Sequence, residues 1–429
     1  RQEVSLGILA PEVGMEAEDA GTLIKRHGGK TMLDVPPMEI ASKCQIDAKV
    51  CFALHDKYIP DIQRLFPSYF QIEMNVIPIL IDLSLRGMYI DQKARAEWEA
   101  RLDIEIDFYK KQVLEQGIKR PGSPQQVGYT LNKRGSFLPL TRSKRQISTK
   151  SGELEFLDDP LAAAVLGYRR KAKLQSTYIR PMGKEERFYT EYFMETSVGR
   201  LNSRNRNIQN LPPDARHMLL PDNRVFTSVD YGREHMYILA EMSQDRDMLR
   251  VLRDPDPLKN DLHQHTADLM GISRGLAKTL NYAIIYGATA KTISERAKIK
   301  DMRRCNSLLN SWFKAYPTAA DWITSVQAIG LRSGWAEPTL FGRKIKLPDE
   351  PPDLQKNKAV NYPILGSDGE VIKRAIILCA DRGLAPPIMA ATVHDSITFD
   401  GDVVVPVEEL EMIPGFQIPI DVKQTLTWE

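Results

Sequence analysis

With 429 residues, 42% of them hydrophobic and 27% charged, the chain is too long for one ordinary core and too apolar to be disordered, so two to four soluble domains are expected. A formal net charge of +2 is no signature of a nucleic-acid binder, although it hides local asymmetry. Cys44, Cys51, Cys305 and Cys379 show no CxxC spacing, which argues against a zinc site or a disulfide framework and for a reducing, cytoplasm-like compartment. The most apolar run, Val76–Leu85, is interrupted by Asp82 and is too short to span a bilayer, so no membrane partner is expected. The chain opens on Arg1 rather than Met, and an upstream part is expected.

Residues 1–66 read as a short first unit, too small for a robust core of its own, with a helical pattern from Met38 to Tyr58 and punctuation at Pro60 and Pro67. A helix follows from Gln71 to Arg86. Asp91 then caps a longer one through Gln116, with Trp98, Leu102, Ile106, Tyr109 and Val113 along one face. Between Glu115 and Glu153 there is no acidic residue, whereas Lys119, Arg120, Lys133, Arg134, Arg142, Lys144, Arg145 and Lys150 all fall there. Such an unbalanced stretch suits a grip on a phosphate backbone, and a second basic helix follows near Tyr168. Val225–Asp230 reads as a strand ending in a carboxylate, and mostly helical sequence runs from Glu234 to about Ser333. Ile388–Val393 and Ser396–Phe399 read as a hairpin with His394-Asp395 at its turn, so the fold class is α+β.

Two features carry chemistry. Ser273–Gly287 is a bounded helix on which Arg274, Lys278 and Tyr282 share a face, continued by Tyr286. Cations followed by aromatics suit a ligand with a polyphosphate at one end and a flat ring at the other, although a charged helix face alone is more often a solvated surface. Asp230 and Asp395, each at a strand end, can meet at one edge of a sheet and hold Mg²⁺ through hard oxygen ligands. Either aspartate alone is ordinary turn chemistry. Together with the helix they suggest phosphoryl transfer on a nucleoside triphosphate.

The sequence resembles the family A, DNA polymerase I-like, DNA polymerases over roughly residues 68–429. The resemblance rests on Thr196-Ser-Val-Gly-Arg-Leu with Asn207-Ile-Gln-Asn-Leu-Pro212, Val229-Asp-Tyr231 with Ile238-Leu-Ala240, and Asp261-Leu-His-x-x-Thr-Ala267. It extends to Arg274-x3-Lys278-x3-Tyr282-x3-Tyr286-Gly287, Thr339-Leu-Phe-Gly-Arg343 and Val393-His-Asp395, in the family's order. It implies a right-hand architecture of thumb, palm with antiparallel sheet and mostly helical fingers, and template-directed DNA synthesis from dNTPs on primer–template DNA. The implied division is 1–66 as a remnant of a 3′–5′ exonuclease domain, 67–190 thumb, 191–245 and 336–429 palm, and 246–335 fingers. Asp230, Asp395 and the Tyr231 carbonyl would hold two Mg²⁺ ions, with Mn²⁺ as a substitute. Arg274, Lys278 and His263 would bind the triphosphate, with Lys278 also the acid for the departing pyrophosphate. Tyr282 and Tyr286 would face sugar, base and template, while Arg200, Asn207, Gln209 and Asn361 would read the minor groove. His394 would position the primer end, and the basic residues of 116–152 (Lys119, Arg120, Lys133, Arg134, Lys144, Arg145) would grip DNA from the thumb tip. A cytoplasmic or nucleoid monomer serving replication or repair is expected.

The sequence also departs from that family. His235 occupies the position of the glutamate that excludes a ribose hydroxyl; a His235 bonded to Tyr286 is the expected altered gate. Glu234 should point about 100° away round the helix. Ser396, Leu365 and Asn357 replace a Glu, a Gln and an Arg, and the His263–Arg274 segment is short. Glu39–Asp47 resembles the last exonuclease motif with Lys43 in place of a Tyr, so no proofreading is expected. The rivals are a single-subunit RNA polymerase, favoured by His394-Asp-Ser396, and a dead DNA-binding remnant. His263-x-His265 lacks a third ligand for a metal site.

Overall fold

The computed structural model describes residues 5–141, 146–183, 185–256, 258–287, 289–299 and 301–428. Contacts divide the chain into residues 1–71 and 72–429, a little past the boundary expected at 66. In the first unit, α1 (Ala20–Arg26) starts where the Asp19 carboxylate accepts from the Gly21 and Thr22 amides. The long α2 (Pro37–Leu65) runs straight through Pro60, beyond the end expected at Tyr58. It stops at Phe66, whose φ of −140° leaves the helical region because Pro67 follows. Pro67 then occupies the first turn of α3 (Pro67–Arg86), where a missing amide hydrogen costs nothing.

In the second unit, the Asp91 carboxylate accepts from the Lys93 and Ala94 amides and starts α4 (Gln92–Glu115), as its sequence predicts. Together with α5 (Pro124–Lys133) and α6 (Pro160–Leu174) it contributes to a separate core of Val113, Ile118, Val127, Leu131, Leu161 and Val165. The acid-free segment thus rides on a small packed module rather than on a loose loop.

The larger core surrounds a four-stranded antiparallel sheet of β1 (Phe226–Tyr231), β2 (Met389–Val393), β3 (Ser396–Asp400) and β4 (Ile420–Thr425), in the order β4-β1-β3-β2. Its core is shared by α7 (Glu234–Ser243), α8 (Leu262–Met270), α9 (Arg274–Ile285), α11 (Met302–Ala315), α12 (Pro317–Ser333) and the long α13 (Pro352–Cys379), whereas α10 (Ala290–Ala297) packs with α9 and α11 in a smaller core of Leu280, Ala290, Ile293 and Cys305. Val229, Ile238, Leu239, Ile285, Trp312, Val360, Ile376 and Phe399 are among the buried residues of the larger core. Segregated helices and an antiparallel sheet confirm α+β. The expected hairpin is there, with His394 at φ 54° in its two-residue turn.

Candidate active site

Strand pairing delivers the carboxylates. Asp230 stands opposite Ser396 on β3, and the Tyr231 amide donates to the Asp395 carbonyl at 3.1 Å, so the hairpin turn is held against the end of β1. On the other side β4 places Asp421 directly opposite Asp230, a third acid that the Ile-Asp-Val-Lys alternation of that strand could have revealed. The Asp230 carboxyl reaches the surface but is flanked by protein. Partial loss of hydration, followed by the charges of Asp395 and Asp421, pushes it up to about 6. Burial and the charge of Asp368 likewise raise Asp395. Carboxylates that hinder one another's ionisation form a donor set that a divalent cation would relieve. Among the described residues no three or more acids, histidines or cysteines converge on one metal position. Two carboxylates with a backbone carbonyl fit Mg²⁺, which keeps waters and takes substrate phosphates as further ligands.

The Ser273 hydroxyl accepts from the Leu276 amide and starts α9, and Gly287 ends the chain's helical path at φ 71°. A Cβ on Gly287 would come within 2.7 Å of the Asn357 backbone, so only glycine lets the helix end pass α13 so closely. Leu280, Ala283, Ile284 and Ile285 are buried, while Arg274 and Lys278 are exposed and Tyr282 and Tyr286 half-buried. The helix therefore presents the face its spacing predicts. Arg274 is not idle: its Nε donates to Asp261 at 2.7 Å. The charges of Asp395 and Asp230 both act on the Tyr282 hydroxyl, which places this helix face beside the carboxylates. His263 is buried against Tyr282, ring centroids 5.6 Å apart. His265 turns to Asp247 at 2.7 Å, so the two histidines serve different partners.

The gate differs from expectation. No hydrogen bond joins His235 to Tyr286 among the described residues; their rings meet edge-on at 6.1 Å. His235 Nε2 instead lies 3.4 Å from Asp368 on α13, and Arg200 Nε holds the other Asp368 oxygen at 2.5 Å. Glu234 does not point away either. Because α7 is buried on nearly every side, a residue 100° round from His235 still faces protein, and the Glu234 carboxyl adjoins Asp368. Burial and the Asp368 charge raise Glu234 far above the usual carboxylate range. Burial would raise Asp368 as well, but His235 and Arg200 hold it low. Of the two, Glu234 keeps the proton and Asp368 the charge. Sequence reasoning missed Asp368; two acids within the small-residue run Gly366-Ser-Asp-Gly-Glu370 of a buried helix were the available signal.

The remaining candidates are dispersed. Gln209 is buried, and the Asn207 side-chain Oδ1 caps a helical turn by accepting from the Asn210 amide and the Ser203 hydroxyl, so both serve the local fold first. Asn361 is half-buried, with its Oδ1 enclosed and unpartnered among the described residues. His394 is exposed at its turn. Lys119, Arg120 and Lys133 are exposed, Arg134 reaches Gln116 at 2.7 Å and Asp159 at 3.3 Å, and Lys144 and Arg145, with Arg142, lie outside the described residues. In the first unit Lys43 Nζ holds Asp47 at 2.7 Å, occupying the carboxylate a nuclease site would need.

Comparison with known proteins agrees with this geometry. The profile of DNA polymerase family A matches residues 92–413. The thermostable DNA polymerase I of Thermus thermophilus is 25% identical over 449 aligned positions, covering 93% of this chain and 52% of that protein. DNA polymerase I of Treponema pallidum is 27% identical over 411, covering 87% and 40%. The chain thus spans about half the length, or less, of these relatives. The POL domain of Pol1 from M. smegmatis, solved in complex with DNA primer–template and dNTP, superposes with a TM-score of 0.81 at 19% identity, over 100% of this chain and 79% of that one. The fold is therefore the right-hand polymerase architecture.

Proposed function

Given that this chain belongs to DNA polymerase family A, we propose that it extends the 3′ end of a DNA primer along a template, taking dNTPs as substrates. The observation that carries this reading is the closeness of two carboxylates with raised proton affinity, Asp230 and Asp395, to the cation-bearing face of α9. Family A polymerases use divalent metal ions. Here Asp230, Asp395 and the Tyr231 carbonyl would hold two Mg²⁺, which when bound supply charge neutralisation and activation of the attacking hydroxyl. Arg274 and Lys278 draw in the triphosphate from the exposed face of α9, and the Lys278 ammonium can give a proton to the departing pyrophosphate. Tyr282 and Tyr286 offer stacking faces for sugar and base. Residues 67–190 act as thumb, 191–245 and 336–429 as palm and 246–335 as fingers, while 1–66 is an exonuclease-like remnant without proofreading, a reading that the Lys43–Asp47 pair supports. Lys119, Arg120, Lys133 and Arg134 would hold the duplex, assisted by Arg200, Asn207, Gln209, Asn361 and His394 at the primer end. Among the described residues no helix is long and apolar enough to cross a membrane, and a monomer working in the cytoplasm or nucleoid is the setting we assign.

Primer extension tests this reading. With Mg²⁺ and dNTPs, wild type extends a primed template, and Asp395→Ala lowers the rate at least about a thousandfold, as losing a group that acts in the transition state does. A wild-type chain that binds primer–template but adds no nucleotide would refute it. Parallel assays with rNTPs and an unprimed promoter template separate it from an RNA polymerase.

A further inference from the structure

We infer that Trp312 and Asn281 are positioning residues that fix the tautomer of His263, leaving its hydrogen on Nε2 as a neutral donor for the triphosphate of an incoming nucleotide. Donors and acceptors can be followed inward from Trp312 to the imidazole; the donation to a triphosphate rests on the nucleotide reading of the α9 face.

An indole nitrogen can only donate. Trp312 Nε1 lies 2.7 Å from Asn281 Oδ1, so that atom is the amide oxygen and the orientation of the Asn281 side chain is settled. The Asn281 amino group then has two hydrogens to place. One goes to Thr266 Oγ1 at 3.1 Å, whose own hydrogen is used on the Leu262 carbonyl at 2.7 Å. The other points to His263 Nδ1 at 2.9 Å. Nδ1 must therefore accept, and a neutral imidazole that accepts at Nδ1 carries its hydrogen on Nε2.

Nothing in this relay is free to rearrange. Trp312, Asn281, Thr266 and His263 are each no more than 1% exposed, and Tyr316 closes the group through its hydroxyl at 2.8 Å from Thr266. The ring is neutral as well: burial, reinforced by the cations Arg274, Lys278 and Arg233 against the opposing charge of Asp261, brings His263 down to about 4.

What remains is an unused hydrogen. Nε2 is buried and has no partner among the described residues, a condition that native proteins rarely tolerate without a ligand. His263 lies against Tyr282 and feels the charges of Arg274 and Lys278, on the face that would receive a triphosphate. An N–H donor aimed at an anionic oxygen forms a charge-assisted hydrogen bond and adds no cation to a site that already has two. The reverse tautomer would turn a lone pair toward the phosphate and repel it.

Nitrogen-15 NMR of histidine-labelled protein tests the relay without nucleotide. At pH 7 the His263 signals should show a protonated Nε2 and a bare Nδ1. In Asn281→Asp an acceptor replaces the donor, so the hydrogen should move to Nδ1, while Trp312→Phe should give a mixture of tautomers. In primer extension, Asn281→Asp should raise the KM for dNTP about tenfold, with kcat changed less than about threefold and primer–template affinity unchanged. A wild-type His263 protonated on Nδ1, or an Asn281→Asp protein with the wild-type tautomer, overturns the relay. Tautomer reversal without any change in dNTP KM overturns the donor role. If wild type is inactive on primed DNA the nucleotide reading fails instead, and the NMR result still decides the relay. Should Trp312→Phe fail to fold, the Asn281→Asp comparison, with folding checked by circular dichroism, decides between the same outcomes.

Discussion

Nε2 of His235 lies 3.4 Å from Oδ1 of Asp368, and so the imidazole at the expected sugar gate answers to a carboxylate on α13 rather than to Tyr286. The same carboxylate holds Arg200 through its other oxygen. One buried acid thus ties the expected gate on α7 to a candidate minor-groove reader, and both to the long helix α13.

Removing that acid should therefore affect stability and selectivity together. Asp368→Ala leaves Arg200 and the His235 imidazole without their shared acceptor in a site where Asp368 itself is 1% exposed, and a loss of about 3 kcal/mol in denaturant unfolding is expected. Among chains that remain folded, the ratio of dNTP to rNTP incorporation should change, because the His235 ring loses its anchor. An unchanged ratio in single-turnover assays would detach Asp368 from the gate.

His235→Glu, the direct test of the altered gate, meets a complication here. The new carboxylate would stand against Asp368 and next to Glu234, in a place already too crowded with acids for both to ionise. The single variant should be destabilised, and adding Asp368→Asn should recover most of the loss, a non-additivity that a double-mutant cycle measures. In the recovered protein, sugar selectivity should rise if position 235 is the gate, and stay at the wild-type ratio if it is not.

Two buried groups give stability opposite pH slopes. His263 has a folded value of about 4, below its ordinary 6.5, so as pH falls the unfolded chain takes up the proton first. Its contribution is fully present above 6.5 and is lost between 6.5 and about 4, amounting to at most about 3 kcal/mol. Unfolding of His263→Gln should be flatter than wild type across that window. Glu234 is raised instead, so its contribution is present below 4.5 and lost as pH rises. Glu234→Gln, which copies the protonated form, should raise the melting temperature at pH 8 and have little effect at pH 4. A gain that shrinks with rising pH would reverse the assignment of the proton.

The basic module should show itself in salt dependence. Lys119, Arg120 and Lys133 are exposed and form no ion pair among the described residues, whereas Arg134 shares its guanidinium with Gln116 and Asp159. If the first three contact phosphates, each alanine substitution should lower the slope of log Kd against log salt by about 0.9. Arg134→Ala should lower it less, and should cost stability through its lost pair. Slopes unchanged from wild type in all four variants would place the duplex elsewhere.

The elements and the chemistry differed in how far they could be read from sequence. The α9 helix was legible because a cap, a four-residue recurrence and a terminal glycine all agree within fifteen positions, and such local rules hold wherever the helix packs. Asp230 and Asp395 were legible as strand-end acids, but their closeness came from pairing between segments far apart in the second unit, which the family resemblance supplied and residue patterns did not. Asp368, Asn281 and Trp312 stayed hidden for a different reason. Each sits on a buried helix face, and its meaning depends on the atom it meets on another element. Periodicity reports faces; it does not report partners. Pro60 misled because the cost of one lost amide does not outweigh a helix otherwise complete on both sides.

The strand order of the sheet has a consequence for how the protein is made. β1, which carries Asp230, has β3 and β4 as its neighbours, and both arrive late in the chain. While the ribosome is still adding α8 to α13, β1 has no strand on either side, and its backbone groups must be kept from other nascent chains by the helices already formed. The sheet can close only after the hairpin and then β4 have emerged. A chain cut short before β4 would retain both Asp230 and Asp395 in its sequence yet leave β1 as a bare edge, so premature release is expected to yield an aggregating protein rather than a weak polymerase.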